Sequence, residues 1–110
     1  MSKLSQDYNL VVTEKALNAA LDGVSSKEEE NLIWKNIDNI CVFARMSPQG
    51  KARIVDALQT VCKTHVLMCG DGGNDVGALK QSDIGLALLS GYGNANTASV
   101  NEESKQRDII

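Results

Sequence analysis

The sequence predicts an α/β fold: three layers, with a parallel Rossmann-like sheet of about four strands and helices on both faces. Three observations carry this expectation. Four short runs (Tyr8–Val12, Ile40–Met46, His65–Cys69 and Asp83–Leu89) are rich in apolar and β-branched residues and are separated by helical periodicity. The runs are apolar almost throughout instead of alternating, as parallel strands covered on both sides are. A glycine-rich acidic turn follows the third run directly, where open parallel sheets place their ligands.

Each element has a local reason. After Tyr8–Val12, Leu17, Ala20, Leu21 and Val24 fall at helical spacing, and Gly23 stands where the helix should stop. Ser26 and Glu29 form a capping-box pattern for a helix from about Lys27 to Asn36, with Glu28–Glu30 in its first turn where the dipole favours acids. Ile40–Met46 is the second strand. Ser47 is a cap candidate and Pro48 fits the first helical position. Ile54, Val55, Leu58, Val61 and Cys62 then lie on one stripe of an amphipathic helix. A short helix from about Asn74 to Gln81 joins the third and fourth strands. Residues 1–89 are expected to form the domain and the polar residues 90–110 a linker or tail.

Composition narrows the function. The chain has 110 residues, 43% of them hydrophobic, and a net charge of −3. No Lys/Arg-rich patch appears, which argues against nucleic acid as a partner. No apolar stretch approaches the ~20 residues of a membrane span, so this segment by itself is expected to be soluble. Aromatic residues are few (Tyr8, Trp34, Phe43 and Tyr92), so an aliphatic core is expected. Cys41, Cys62 and Cys69 make an odd set with no CxxC spacing; two lie in apolar runs, which reads as buried free thiols and not as metal ligands.

The chemistry concentrates in the loop after the third strand. Asp71 and Asp75 are four residues apart at the mouth of that strand. Hard oxygen ligands there suit Mg²⁺, which takes one or two carboxylates together with phosphate and water. Gly70, Gly72 and Gly73 permit positive φ and close backbone approach to an anion. Asn74 offers amide donors, and the following helix presents its amino end. A glycine-rich turn capped by Asp also occurs in α/β proteins without catalysis. The dinucleotide pattern GxGxxG fails, because Asp75 stands where the third glycine belongs. Lys51 lies in the first turn of a helix, a poor place for a cation. A phosphoryl group above the sheet would compensate it; a solvated surface lysine is the alternative. Arg45 and Arg53 read as surface or supporting residues, and His65 as a structural or exposed histidine with no acid near in sequence.

These stretches also match a known pattern. "FARMSPQGKARIVDALQ" (43–59) and "VLMCGDGGNDVGALKQSDIGLALL" (66–89) resemble the phosphorylation domain of P-type ATPases, which are haloacid-dehalogenase-like (HAD-like) enzymes. Gly70–Leu79 looks like their GDGxNDxxAL motif and Arg45–Lys51 like their R-x-x-P-x-x-K segment. The variant is most similar to the type V branch, and within it to the endoplasmic-reticulum members. The resemblance implies that Asp71 and Asp75 ligate Mg²⁺, that Asn74 orients the site, that Gly70 and Gly72 border the cofactor, and that Lys51 neutralises phosphoryl charge. It implies ATP as the cofactor of the full-length enzyme. It implies a location on the cytosolic face of a membrane protein, with the endoplasmic reticulum favoured. The partners implied are the nucleotide-binding, actuator and transmembrane parts of the same ATPase.

One departure matters. The family's nucleophile lies in a D-K-T-G-T motif, which this sequence does not contain. The TGD-type segment is missing too; Glu14 follows Thr13 in place of Gly-Asp. The chain is therefore expected to be the carboxyl-side half of a phosphorylation domain, inactive alone. A stand-alone HAD-like phosphatase fragment and a non-catalytic binding module are the alternatives.

Overall fold

The computed structural model describes residues 2–89; the expected tail at 90–110 lies outside them. The elements run α1 (Ser2–Asp7), β1 (Leu10–Thr13), α2 (Glu14–Asp22), α3 (Lys27–Lys35), a 3₁₀ turn (Ile37–Asn39), β2 (Ile40–Ala44), α4 (Pro48–Thr60), β3 (Leu67–Gly70), a second 3₁₀ turn (Gly73–Asp75), α5 (Val76–Gln81) and β4 (Ile84–Ala87). The expected alternation is present. The short helix α1 was not foreseen, because its sequence has no apolar stripe to announce it.

Helix starts follow the side chains that cap them. Thr13 Oγ1 accepts from Ala16 N–H, and Ser26 Oγ accepts from Glu29 N–H, both at 3.2 Å. The reciprocal arm of the capping box is displaced by one residue: the Glu29 carboxylate accepts from the Ser25 backbone N–H at 2.8 Å and from its hydroxyl at 3.2 Å. Ser47 caps α4 with Pro48 at its first position, as the sequence suggests.

The sheet differs from the expectation. β1 pairs with β2 and β3 with β4, each in parallel, as two separate two-stranded sheets. The expected single sheet of about four strands is not formed, because β2 and β3 do not hydrogen-bond. An apolar cavity of about 300 Å³ is lined by Phe43 of β2, by Ile54, Val55 and Leu58 of α4, and by Met68 of β3. Helices also fail to cover both faces. Val12 and Phe43 face the core, and Ala78 of α5 is fully buried. On the opposite faces Val11 and Val42, and then Leu67, Ile84 and Leu86, are exposed.

The core gathers Leu17, Trp34, Ile37, Ile54 and Ala57, with Leu58, Val61 and Cys62 packed against it. The α4 stripe therefore faces inward as its spacing requires. The core is not purely aliphatic: Trp34 is only 7% exposed, and the Arg53 guanidinium lies over its ring, 4.8 Å from the centroid. Cys41 and Cys69 are exposed and Cys62 half-buried, all as free thiols. The expected burial of the strand cysteines fails: Cys69 lies on the bare side of β3 with Leu67, and Cys41 falls where the β1–β2 register slips and its thiol reaches Asn9 Oδ1.

A polar clasp ties β3 to β4 and α4. The Asp83 carboxylate accepts from Val66 N–H at 2.8 Å and from Gln59 Nε2 at 3.0 Å, and the exposed His65 reaches it at 3.8 Å. The Val66 bond, helped by Gln59 and by His65, holds the Asp83 carboxyl below its ordinary value. A carboxylate with a depressed folded pKa contributes stability above its unfolded pKa and loses it as pH falls through the folded one. Chemical denaturation of Asp83→Asn across pH is expected to show a constant deficit against the wild type near neutrality. That deficit should narrow below about pH 4. A gap that does not change with pH would exclude this role.

Candidate functional site

The site forms where β3 ends. Gly70 is the last residue of β3, and its chain turns through Asp71 and Gly72 into the 3₁₀ turn that carries Asn74 and Asp75. Asp75 N–H closes that turn on Gly72 O at 3.0 Å. The turn folds Asp75 back beneath the loop. Its Oδ2 accepts from Asp71 N–H at 3.3 Å and from Gly72 N–H at 3.4 Å. The residue is the one buried charged side chain among the described residues, 7% exposed.

Lys51 supplies the countercharge. Its Nζ donates to Asp75 Oδ1 at 2.7 Å, within a partly buried ion pair 24 residues apart in sequence. This bond is the main reason the Asp75 carboxyl is held below its ordinary value; burial opposes the shift, and the two backbone N–H groups add to it. The first-turn cation that looked misplaced against the helix dipole thus has a carboxylate partner. The surface-lysine alternative does not hold here.

Asp71 and Asn74 are exposed. The Asp71 carboxylate has no hydrogen-bond partner among the described residues, so its oxygens face solvent beside the anchored Asp75. No cluster of three or more His, Cys, Asp or Glu side chains suited to a metal exists among the described residues. The acidic oxygen set is therefore two carboxylates, one free and one braced.

The glycines act differently from the expectation. No glycine among the described residues has positive φ; the left-handed residues are Arg45 (59°) and Lys63 (58°). Gly70 is needed for close approach instead. A Cβ there would lie 2.6 Å from Asp75 Cβ and 2.9 Å from its carboxyl carbon. At Gly72 a Cβ would lie 2.7 Å from Asn74 Oδ1, while Gly73 faces open space. The helix after the loop begins at Val76, two residues later than expected, and has six residues, too few for its amino end to carry an anion-binding argument.

Some site residues were not legible in sequence. Glu14, at the start of α2, accepts from Ser47 Oγ at 2.7 Å and from Ser47 N–H at 3.2 Å, which links β1 and α2 to the start of α4. No sequence spacing signals a pair 33 residues apart. Arg45, placed among surface residues, is exposed and lines an open polar cleft with Lys15, Asn18 and Asp22. His65 is distant in sequence from Asp83 yet adjacent in space.

No protein-family model matches the chain. The endoplasmic reticulum transmembrane helix translocase of Saccharomyces cerevisiae is 43% identical over 90 residues, which covers 82% of this chain and 7% of that protein. The protein of the same name in Schizosaccharomyces pombe is 36% identical over 89 residues, 81% of this chain and 7% of its own length. A calcium-transporting ATPase of Listeria monocytogenes is 53% identical over 64 residues, 58% of this chain and 7% of that protein.

The chain belongs to the P-type ATPases. It spans about 7% of the length of these P-type relatives, so it is a segment compared with them. No helix among the described residues is long and apolar enough to cross a membrane.

Two measurements check the site's construction. Lys51→Met and Asp75→Asn should each destabilise the fold, and a double-mutant cycle should return a coupling of about 1–2 kcal/mol. Additive effects would mean that the pair does not interact in solution. Gly70→Ala should cost about 1–3 kcal/mol, because the added methyl meets the base of a buried side chain instead of a flexible tip. An unchanged denaturation midpoint would contradict that close approach.

Proposed function

We propose that this chain is the part of an ATP-driven membrane pump that supplies the Mg²⁺ and phosphate side of its phosphorylation site. The observation that carries the reading is the 2.7 Å Lys51–Asp75 pair at the carboxyl end of β3. It sets a cation and a carboxylate, with Asp71 in the same loop, at the place where an open parallel sheet binds ligands.

The donor set suits the metal. Asp71 offers free carboxylate oxygens, while Asp75 keeps capacity on Oδ1 beside its lysine bond. Mg²⁺ typically takes one or two carboxylates and completes its shell with phosphate and water. When bound, it would supply charge neutralisation for a phosphoryl group. Asn74, exposed at the same turn, can orient an oxygen through its amide. Gly70 and Gly72 keep side chains out of the loop. The Lys51 ammonium offers a fixed positive charge that costs no reorganisation as charge develops on the transferring group.

The nucleophile must come from another segment, since D-K-T-G-T is absent here. The fold supports an incomplete, HAD-like three-layer assembly: the strand pairs are separate, an apolar cavity lies between β2 and β3, and one face of each pair is bare. Parallel sheets are normally buried on both faces. The partners in this reading are the nucleotide-binding, actuator and membrane parts of the same ATPase, with ATP bound by the whole enzyme. Its place is the cytosolic side of a membrane, the endoplasmic reticulum by similarity to the yeast translocases.

Mg²⁺ titration of the ¹⁵N-labelled chain tests the reading. Saturable amide shifts are expected at Asp71–Asp75, and Asp71→Asn should abolish them. Absence of shifts at Asp71 and Asp75, or shifts that survive the substitution, would refute it. Incubated with Mg²⁺ and ATP, the chain should acquire no hydroxylamine-sensitive acyl phosphate; such a product would contradict the half-site assignment.

A further inference from the structure

We infer that Glu14 is a positioning residue for Lys51: its carboxylate grips the Ser47 cap of α4, and the room it needs exists because residue 50 is glycine. This inference rests on the reading of Lys51 as the phosphoryl-neutralising cation.

The chain of contacts is short and fully specified. Glu14 Oε1 accepts from Ser47 Oγ at 2.7 Å, and Oε2 accepts from Ser47 N–H at 3.2 Å. Ser47 Oγ in turn accepts from Gly50 N–H at 3.0 Å. A hydroxyl has one proton, and here Glu14 takes it, which turns a lone pair toward the helix. The short, charge-assisted bond fixes that rotor more firmly than solvent would. Ser47 O accepts from Lys51 N–H at 2.9 Å, so the same residue that Glu14 holds also sets the first turn from which Lys51 projects. At the far end of that side chain lies Asp75. Glu14 therefore anchors one end of the lysine and Asp75 the other.

Gly50 completes the device. The residue is buried, and a Cβ built on it would collide with Glu14 Oε1. That atom is the tip of a flexible side chain, so the clash itself costs little. Its relief would swing the carboxylate away from Ser47. Glycine inside a helix is otherwise unfavourable against alanine, and the Glu14 carboxylate accounts for it here.

Amine labelling tests the inference on the metal-free and phosphate-free chain. Trace acetylation at fixed pH, read by mass spectrometry, gives the Lys51 rate relative to Lys27, whose side chain is 78% exposed and distant in function. Glu14→Ala removes both bonds to Ser47 and should raise the Lys51 rate about fivefold, about 1 kcal/mol of lost net hydrogen bonding passed on to the lysine. Glu14→Gln keeps an oxygen acceptor and should stay within about twofold. Gly50→Ala should reproduce Glu14→Ala, and the double variant should add nothing further. Hydrogen exchange at Leu67–Gly70 should be unchanged in all of them. An unaltered Lys51 rate in Glu14→Ala and Gly50→Ala overturns the proposal. So does a rise matched by faster exchange across β3, which would mean general loosening. If Glu14→Ala does not fold, Gly50→Ala decides, because it improves helix propensity. The outcome is independent of the Mg²⁺ titration, so either reading can fail without the other.

Discussion

A buried carboxylate needs a reason to stay ionised, and Asp75 has three: an ammonium and two backbone N–H groups. Removing a charge from water is costly unless such partners replace it. The rest of the site follows from meeting that demand. The chain must turn tightly after β3 so that the N–H groups of Asp71 and Gly72 face back. Residue 70 must lack a side chain so that Asp75 can lie against the strand. A long cationic side chain must arrive from α4, because neither β3 nor α5 offers one at that spot. Asp71 then remains on the outside with its oxygens uncommitted.

The two halves of the structure meet along α4, and this pair is one of the contacts there. β1, α2, α3 and β2 form one part of the fold, with Trp34 and Ile37 at its centre. β3, α5 and β4 form another, whose clearest buried residue is Ala78. α4 serves both: its inner stripe joins the first core, while its Lys51 and Gln59 reach Asp75 and Asp83 of the second. The strands make no hydrogen-bonded bridge between the parts; α4 joins them by packing directly on α5, with Ala52 beside Gly77, and polar contacts at its two ends add to that packing. This differs from an ordinary doubly wound domain, in which the central strands do that work.

What the sequence disclosed and what it hid separate along a physical line. Helix caps at Ser26 and Ser47, the stripe of α4 and the alternation of strands with helices are local patterns and were readable. So was the concentration of acids and glycines at 70–75, the loop in which Asp75 meets Lys51. Sheet pairing was not readable, because hydrogen bonding between β2 and β3 depends on what lies between them and not on either sequence. The reason for Gly70 was misjudged for a related cause: a glycine chosen for proximity looks the same in sequence as one chosen for positive φ. Glu14 and Asp83 act across 33 and 17 residues, and no periodicity marks such partners. The expectation of an aliphatic core rested on how few aromatic residues there are, yet the single large ring of Trp34 fills more of a small interior than any aliphatic residue could.

The chain's single indole also has a use beyond packing. It sits on α3 beneath a guanidinium carried by α4, so its surroundings change whenever those two helices part. Because no other tryptophan exists in the sequence, intrinsic emission becomes a label placed by nature on one seam. Ligand-induced motion that reached α4 would register optically, without any dye or engineered probe.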